Sequence, residues 1–238
     1  MNNSVFNEEL LEKSNIIGVH FSVEQMEQFY KYMNLLIEWN EKMNLTAIIE
    51  PEEIIQKHFI DSLTIQKYIK DCKNMIDIGT GAGFPGIPIA IVNDQINITL
   101  LDSLNKRINF LNDVIQELKL DNVVAIHGRA EDIAKLETYR EKYDVVTSRA
   151  VAQLNILLEY MLPFNKLNGK TISMKGSNIE EIKDATNALN ELGGKIEKIE
   201  NIVLPNTNIQ RNIIIVEKIK ETSKKYPRKA GIPKKEPL

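Results

Sequence analysis

The 238-residue chain is 43% hydrophobic and 26% charged with a net charge of −3, the balance of a globular chain of one domain or one domain plus an appendage. A single cysteine, Cys72, excludes a disulfide framework and a thiolate metal cluster, and three scattered histidines (His20, His58, His127) have no ligand spacing, so no metal is expected. No apolar run approaches the length of a membrane span and the N-terminal stretch has no basic-then-apolar signal pattern, which makes the cytoplasm the expected location, with no membrane partner.

Residues 1–70 read as helical. Val23, Met26, Phe29, Tyr30, Met33, Leu36, Ile37 and Trp39 recur at three- and four-residue steps, and Ser22 with Gln25 forms a capping box at the start of that helix. Asn40–Thr46 interrupts the pattern as a loop. Pro51 suits the first turn of a further helix carrying Ile54, Ile55, His58, Phe59 and Asp61. His58 beside an acid has a catalytic reading, but the favoured one is structural: two neighbours on one helical face, hydrogen-bonded to a loop. With no glycine-rich turns or strands, residues 1–70 are expected to form a helical cap laid on the next domain.

From Lys73 the pattern alternates strand and helix, the signature of a parallel sheet with helices on both faces. Met75–Ile78 is a short strand containing one acid, Asp77. Gly79, Gly81 and Gly83 follow, then Phe84-Pro85-Gly86 and an apolar helical run. Strand, glycine turn and helix N-terminus together suit a nucleotide-like ligand, because glycine permits positive φ and close backbone approach. Gly81-x-Gly83-x-x-Gly86 matches a dinucleotide fingerprint, yet Asp77 interrupts the strand and Pro85 and Pro88 remove donors that a pyrophosphate would use. A ligand without phosphate, adenosine joined to an amino acid, tolerates that loss better.

Further strands are expected to end in Asp102, at Asn122–His127, at Tyr143–Thr147 and at Lys170–Met174. The helices Asn105–Leu118, Leu154–Leu162 and Ile179–Leu192 lie between and after them. Two long strands, Lys195–Leu204 and Gln210–Lys218, close the chain around Pro205-Asn206-Thr207-Asn208 as an antiparallel hairpin. The expected architecture is α/β: a doubly wound, seven-stranded, mostly parallel sheet with a terminal antiparallel hairpin, the form used by class I methyltransferases. Residues 1–70 form the cap, 71–219 the core and 220–238 a basic C-terminal arm.

Ligands of such sheets sit beyond the carboxyl ends of the strands. Asp102, about twenty residues after the glycines, is placed to accept hydrogen bonds from ribose hydroxyls. Ala130-Glu131 would flank an adenine, and Phe84 offers an aromatic wall. Arg149 and Lys175 supply positive charge where substrate enters. From Lys220 onward seven Lys/Arg face two Glu, a net of +5 on a body of −8, which reads either as a polyanion-binding arm or as a solvated terminus. Methyl transfer from a sulfonium needs alignment and exclusion of water more than acid–base chemistry. Cys72 is at the wrong end of the sheet for carbon methylation of a pyrimidine. Thr147-Ser148-Arg149-Ala150 stands where exocyclic-amine methyltransferases carry an Asp/Asn-Pro-Pro-aromatic clamp. A ring nitrogen with a free lone pair, such as a purine 7-nitrogen, needs no base.

The blocks Asp77–Ile91 (DIGTGAGFPGIPIAI), Leu100–Arg107 (LLDSLNKR), His127–Asp132 (HGRAED), Ser148–Ala152 (SRAVA) and Met174–Gly176 (MKG) resemble the bacterial small-subunit ribosomal RNA guanine-N7 methyltransferases, the RsmG (GidB) family. Asn44–Ile48, Lys57–Leu63 and the tail Lys224–Leu238 are similar too, so the likeness covers essentially the whole chain. It implies S-adenosylmethionine as donor and a guanine in the decoding-region hairpin of 16S rRNA as acceptor; the expected partner is that RNA or a 30S subunit, assembling or complete, and the expected state a monomer. The resemblance makes Gly79, Phe84, Ala130, Glu131 and Arg149 cofactor contacts, beside Asp77, Gly81, Gly83 and Asp102 from the glycine-strand pattern. Arg149 is thereby carried to the cofactor rather than to substrate. Arg129 and Lys175 at the pocket mouth, and Lys224, Lys225, Arg228, Lys229, Lys234 and Lys235 on an extended arm, are expected to hold RNA. Ile232 and Glu236 depart from the Thr/Ser and Lys/Asn that the family pattern leads one to expect. Without a general base, neither His58 nor His127 is expected to be catalytic. Alternatives that share the glycine turn are a dinucleotide oxidoreductase, a non-enzymatic RNA-binding module and a small-molecule methyltransferase.

Overall fold

The computed structural model describes residues 1–149, 151–176 and 180–238. Seven strands form one sheet in the order β3-β2-β1-β4-β5-β7-β6. They are β1 (Asn74–Ile78), β2 (Asn97–Asp102), β3 (Val123–His127), β4 (Tyr143–Arg149), β5 (Asn165–Lys175), β6 (Gly194–Val203) and β7 (Gln210–Lys218). The first five pair in parallel, and β7 runs antiparallel between β5 and β6. The chain reverses its direction of travel across the sheet between β1 and β4, which opens a crevice at their carboxyl ends. The expected sheet and terminal hairpin are therefore present.

The N-terminal helices are α1 (Asn3–Ile16) and α2 (Val23–Met43), the latter opened by the Ser22–Gln25 capping box. Phe6, Leu10, Phe29, Tyr32, Met33, Leu36 and Phe59 are buried in one core with Ile87, Leu100, Phe110 and Leu111 from the sheet and its helices. One apolar interior thus runs from α1 to β2, and the helical segment forms a wall of the crevice. Two smaller clusters fill the opposite face, one around Val146, Leu157 and Phe164, the other around Leu158, Leu192 and Ile214.

Four elements differ from the sequence expectation. α2 continues to Met43, so the first four residues of the expected loop Asn40–Thr46 are helical and the chain leaves the helix at Asn44, in the left-handed conformation. Residues 51–63 form a helix whose middle, Ile55–Ile60, is π-helical. Wider winding leaves backbone groups without α-helical partners, and one of them, the Lys57 carbonyl, is used at the site described below. The expected helix Ile179–Leu192 begins at a residue outside those described. It appears as one turn, Glu181–Asp184, and a second helix, Thr186–Leu192, where the Thr186 hydroxyl bonds back to the Lys183 carbonyl. β5 starts five residues early, since Asn165 pairs with Tyr143 before the register shifts.

Candidate functional site

The glycine turn is fastened to the neighbouring strand by backbone and carboxylate. Gly79 N–H and Thr80 N–H donate to the Leu101 carbonyl (2.8 and 3.1 Å), and Gly81 N–H donates to Asp102 Oδ2 (3.0 Å). Gly79, Gly81 and Gly83 all have positive φ, so a side chain at any of them would be strained. Their surroundings differ. A Cβ on Gly81 would enter open space, one on Gly79 would come within 2.8 Å of Val151 Cγ2, and one on Gly83 would meet Ile87 Cγ1 at 2.6 Å and the Tyr32 hydroxyl at 2.7 Å. Gly81 and Gly79 therefore keep a surface clear, while Gly83 lets α2 close on the turn. The Tyr32 hydroxyl donates to the Ala82 carbonyl there.

Asp77, counted with the glycines by the sequence, is completely buried. Its Oδ2 accepts from Gly86 N–H (3.0 Å) and the Thr80 hydroxyl (2.7 Å), which ties the turn to the first residue of helix Gly86–Val92. Its Oδ1 has no partner, and burial pushes the carboxyl up to about 6. Asp77 shapes the turn from behind.

Two cavities of about 420 and 190 Å³ lie at the strand ends and share Gly79, Asp102, Ser103 and Val151, so they meet at a waist. The smaller is walled by Ile78, Leu101, Ala130 and Tyr160, with Arg129 and Glu131 also lining it. The larger is bounded by Gly81, Phe84 and Arg149, with Thr46 and His58 from the helical wall and Arg107 beside Asp102. Asp102 sits at the waist with both oxygens engaged. Oδ1 accepts from Leu104 N–H (2.9 Å), and Oδ2 from Gly81 N–H and from Arg107 Nη1 (3.1 Å).

Arg149, at the end of β4, joins the sheet to the helical wall. Nη1 donates to the Lys57 carbonyl (2.9 Å) and to Asp61 Oδ2 (3.3 Å), and Nη2 donates to His58 Nδ1 (3.0 Å). Arg211 of β7 also reaches Asp61 Oδ2, at 3.1 Å. His58 stacks on Phe84 with ring centroids 4.3 Å apart and an interplanar angle of 14°, and the guanidinium lies 5.0 Å from the Phe84 ring. With Nδ1 accepting from Arg149, His58 Nε2–H donates to the Thr46 hydroxyl (3.0 Å). Burial first, then the Arg149 charge, lowers His58 to about 3, so the ring is neutral. His58 and Asp61 are helix-face neighbours, but only His58 bonds a loop, through Thr46; Asp61 bonds Arg149 and Arg211 on the strands, and the partner common to the pair is Arg149.

The residues assigned to RNA scatter more widely. Arg129 is exposed at the smaller cavity. Lys175 is buried, with Nζ donating to the Ala152 carbonyl and to Glu181 Oε2 (2.9 Å). The tail lies folded against the body rather than extended. Arg228 is paired with buried Glu159; Lys225 is paired with Glu191 but exposed, as are Lys224, Lys229, Lys234 and Lys235. His127 Nε2 bonds the Ser103 carbonyl. Sequence reasoning missed Thr46, Ser103, Arg107, Val151 and Tyr160 as lining residues and Arg211 as a partner of Asp61. The signal available for Arg107 was its place five residues after Asp102. Among the described residues no cluster of His, Cys, Asp or Glu could hold a metal ion. Cys72 lies at the amino end of β1, away from the crevice, where burial raises its thiol to about 12.

The family described as GidB, rRNA small subunit methyltransferase G, matches residues 25–221. A protein named ribosomal RNA small subunit methyltransferase G from Clostridium botulinum (strain Loch Maree) is 54% identical over 232 residues, 96% of this chain and 97% of its own. One of the same name from Desulforamulus reducens is 57% identical over 213 residues, covering 88% and 89%. Among solved structures, M. jannaschii TYW2 in complex with AdoMet aligns with a TM-score of 0.53 at 17% identity over 67% of this chain and 77% of that one. A ribosomal protein L11 methylase from Lactobacillus delbrueckii subsp. bulgaricus aligns with a TM-score of 0.52 at 14% identity, covering 68% and 77%.

Proposed function

Since the chain belongs to the rRNA small subunit methyltransferase G family, we propose that it methylates the 7-nitrogen of a guanine in the decoding-region hairpin of 16S rRNA, in the cytoplasm, with S-adenosylmethionine as donor. The observation that carries the reading is the two-chambered crevice whose waist is formed by Gly79 and Asp102. Its residues fit the donor. A Cβ on Gly79 would fill the waist, Gly81 keeps the floor clear, Asp102 and Glu131 are acceptors, and Ile78, Leu101, Ala130 and Tyr160 give flat apolar walls. Gly79, Gly81, Asp102, Ala130 and Glu131 would hold its adenosine, with Phe84 and Arg149 toward the larger chamber. When bound, S-adenosylmethionine supplies an electrophilic methyl group on a sulfonium that leaves as a neutral thioether.

The protein's part is then alignment. The larger chamber, between the glycine turn and the wall carrying Thr46 and His58, has room for a flipped base. The Phe84–His58 stack and the Arg149 bonds fix the position of that wall relative to the turn. A purine 7-nitrogen attacks through its own lone pair and needs no base. That agrees with a neutral His58 whose two nitrogens are both engaged. Exposed Lys224, Lys229, Lys234 and Lys235, with Arg129 at the cavity, are the groups available to RNA phosphates.

The test is transfer of label from S-adenosylmethionine to unmethylated small subunits, followed by mapping of the modified nucleotide. Label on one guanine, at a position that chemical cleavage identifies as 7-methylated, is expected. Cofactor binding without transfer to ribosomal RNA would replace the acceptor, and absence of cofactor binding would overturn the reading.

A further inference from the structure

The C-terminal segment carries more than exposed lysines. Arg228 donates from its backbone N–H (2.7 Å) and from Nε (3.0 Å) to Glu159 Oε1, and from Nε (3.1 Å) and Nη2 (2.6 Å) to Oε2. Glu159 is wholly buried, so this is a forked charge pair at the body's surface with its acid inside. Arg140 grips the same segment from the other side, donating to the carbonyls of Thr222 (2.7 Å) and Tyr226 (2.9 Å). Three residues beyond Arg228, Gly231 adopts a φ of +84° and its N–H donates to Glu131 Oε1 at 3.2 Å. Glu131 is buried and lines the smaller cavity, as does Tyr160, the neighbour of Glu159 on helix Leu154–Met161.

One continuous path therefore runs from the tail to the cavity wall. We propose that Arg228 is a positioning residue for the cofactor subsite: by pinning the tail to Glu159, it holds the Gly231 N–H on Glu131 and so fixes the carboxylate that reads the 6-amino group of an adenine. The inference rests on the reading of the smaller cavity as the adenine site. One oxygen of Glu131 is committed to Gly231, which leaves the other oriented for a single donor. A 6-amino group satisfies that oxygen, and a 6-oxo group would set two acceptors against each other. Arg228 is thereby separated from the exposed lysines of the same tail.

The experiment measures calorimetric binding of S-adenosylhomocysteine and of its inosine counterpart to the full-length chain, together with thermal unfolding without ligand. Arg228→Gln alone leaves Glu159 buried without its charge partner and is expected to lower the melting temperature. The double variant Glu159→Gln, Arg228→Gln removes both charges and keeps the fold measurable. Wild type should prefer the adenine compound, and both Glu131→Gln and the double variant should reduce that preference by about tenfold. A double variant with the wild-type preference, beside a Glu131→Gln that has lost it, would overturn the strap while leaving the adenine site standing. A Glu131→Gln variant that retains the preference would overturn the reading of the cavity, and the proposal with it.

Discussion

The two sides of the crevice are built from different material. The glycine turn is a backbone structure: Gly79, Thr80 and Gly81 are stitched to β2 through main-chain donors, and its one internal acid, Asp77, serves the same short segment. The facing wall is a side-chain structure, with Arg149 gathering His58, Asp61 and the Lys57 carbonyl from 88 to 92 residues away in the chain. A backbone site fails by steric intrusion and tolerates changes of charge. A side-chain clamp fails when one charge loses its partner.

The largest effect should come from intrusion into the turn. Gly83→Ala combines a φ of +97° with approaches of 2.6 and 2.7 Å, so a loss of about 3 kcal/mol or more is expected in denaturant unfolding. Gly81→Ala, in open space, should cost only about 1 kcal/mol of stability while weakening cofactor binding, because its Cβ enters the cleft. Equal destabilisation by the two would show that the distinction between them is wrong.

On the clamp side, Arg149→Met is expected to cost about 3 kcal/mol, the lower end for a broken buried pair because Arg211 remains on Asp61. Methyl transfer should fall with it. Adding Asp61→Asn together with Arg211→Met, which removes every charge of the cluster, should restore part of the stability and none of the transfer rate, as measured by unfolding and a single-turnover assay on the same preparations. Recovery of both together would mean that the clamp only holds the fold.

The two sides should also answer acid with opposite signs. His58 is held neutral, at about 3 against 6.5, so the unfolded chain binds the proton first and stability is lost as pH falls below 6.5. Asp77 is raised to about 6 from 3.8, so the folded chain binds the proton first and stability is gained as pH falls from 6 toward 3.8. The contributions are on the order of 5 kcal/mol for His58 and 3 kcal/mol for Asp77 across their windows. Between about pH 6 and pH 4 they offset each other, and Asp77→Asn should leave a protein that loses stability on acidification whereas His58→Gln should leave one that gains it. Parallel stability–pH curves for the two variants would contradict this assignment of charge. Turnover of His58→Gln should fall only as far as the lost stack on Phe84 disturbs alignment, with no loss of a base-dependent limb in the pH–rate profile, because no base is required.

The smallest effect on stability belongs to the exposed tail. Replacing Lys224, Lys229, Lys234 and Lys235 by Ala should change stability by less than about 0.5 kcal/mol and leave cofactor affinity intact. RNA binding should weaken, with the log–log salt slope falling by about 0.7 for each phosphate that is no longer neutralised. An unchanged slope would remove these lysines from the RNA-binding surface.

Local chemistry was readable in the chain where one short segment contains all its own partners. The strand–glycine–helix unit at residues 75–92, the capping box at Ser22 and the hairpin after Lys195 all depend on neighbours in sequence, and each stands close to where pattern and turn chemistry put it. Asp77 shows the limit within that class. Its position was legible, but a carboxylate two residues before a glycine turn looks the same whether it faces ligand or is buried behind the turn. Burial depends on how closely helix Gly86–Val92 approaches, and Gly86 decides that.

The sequence by itself determined the order of elements, the parallel sheet with its terminal hairpin, the glycine floor and the family, because hydrophobic period and turn residues act over a few positions. Only the tertiary structure decided which charges are free. Lys175 and Arg228 look like their exposed neighbours in the sequence, yet Glu181 and Glu159 neutralise them across the fold. His58, Asp61, Arg211 and Arg149 become one unit only when β4 and β7 are laid beside the π-helical turn. Opposite charges pair by distance in space, and that distance is set by the packing of elements far apart in the chain.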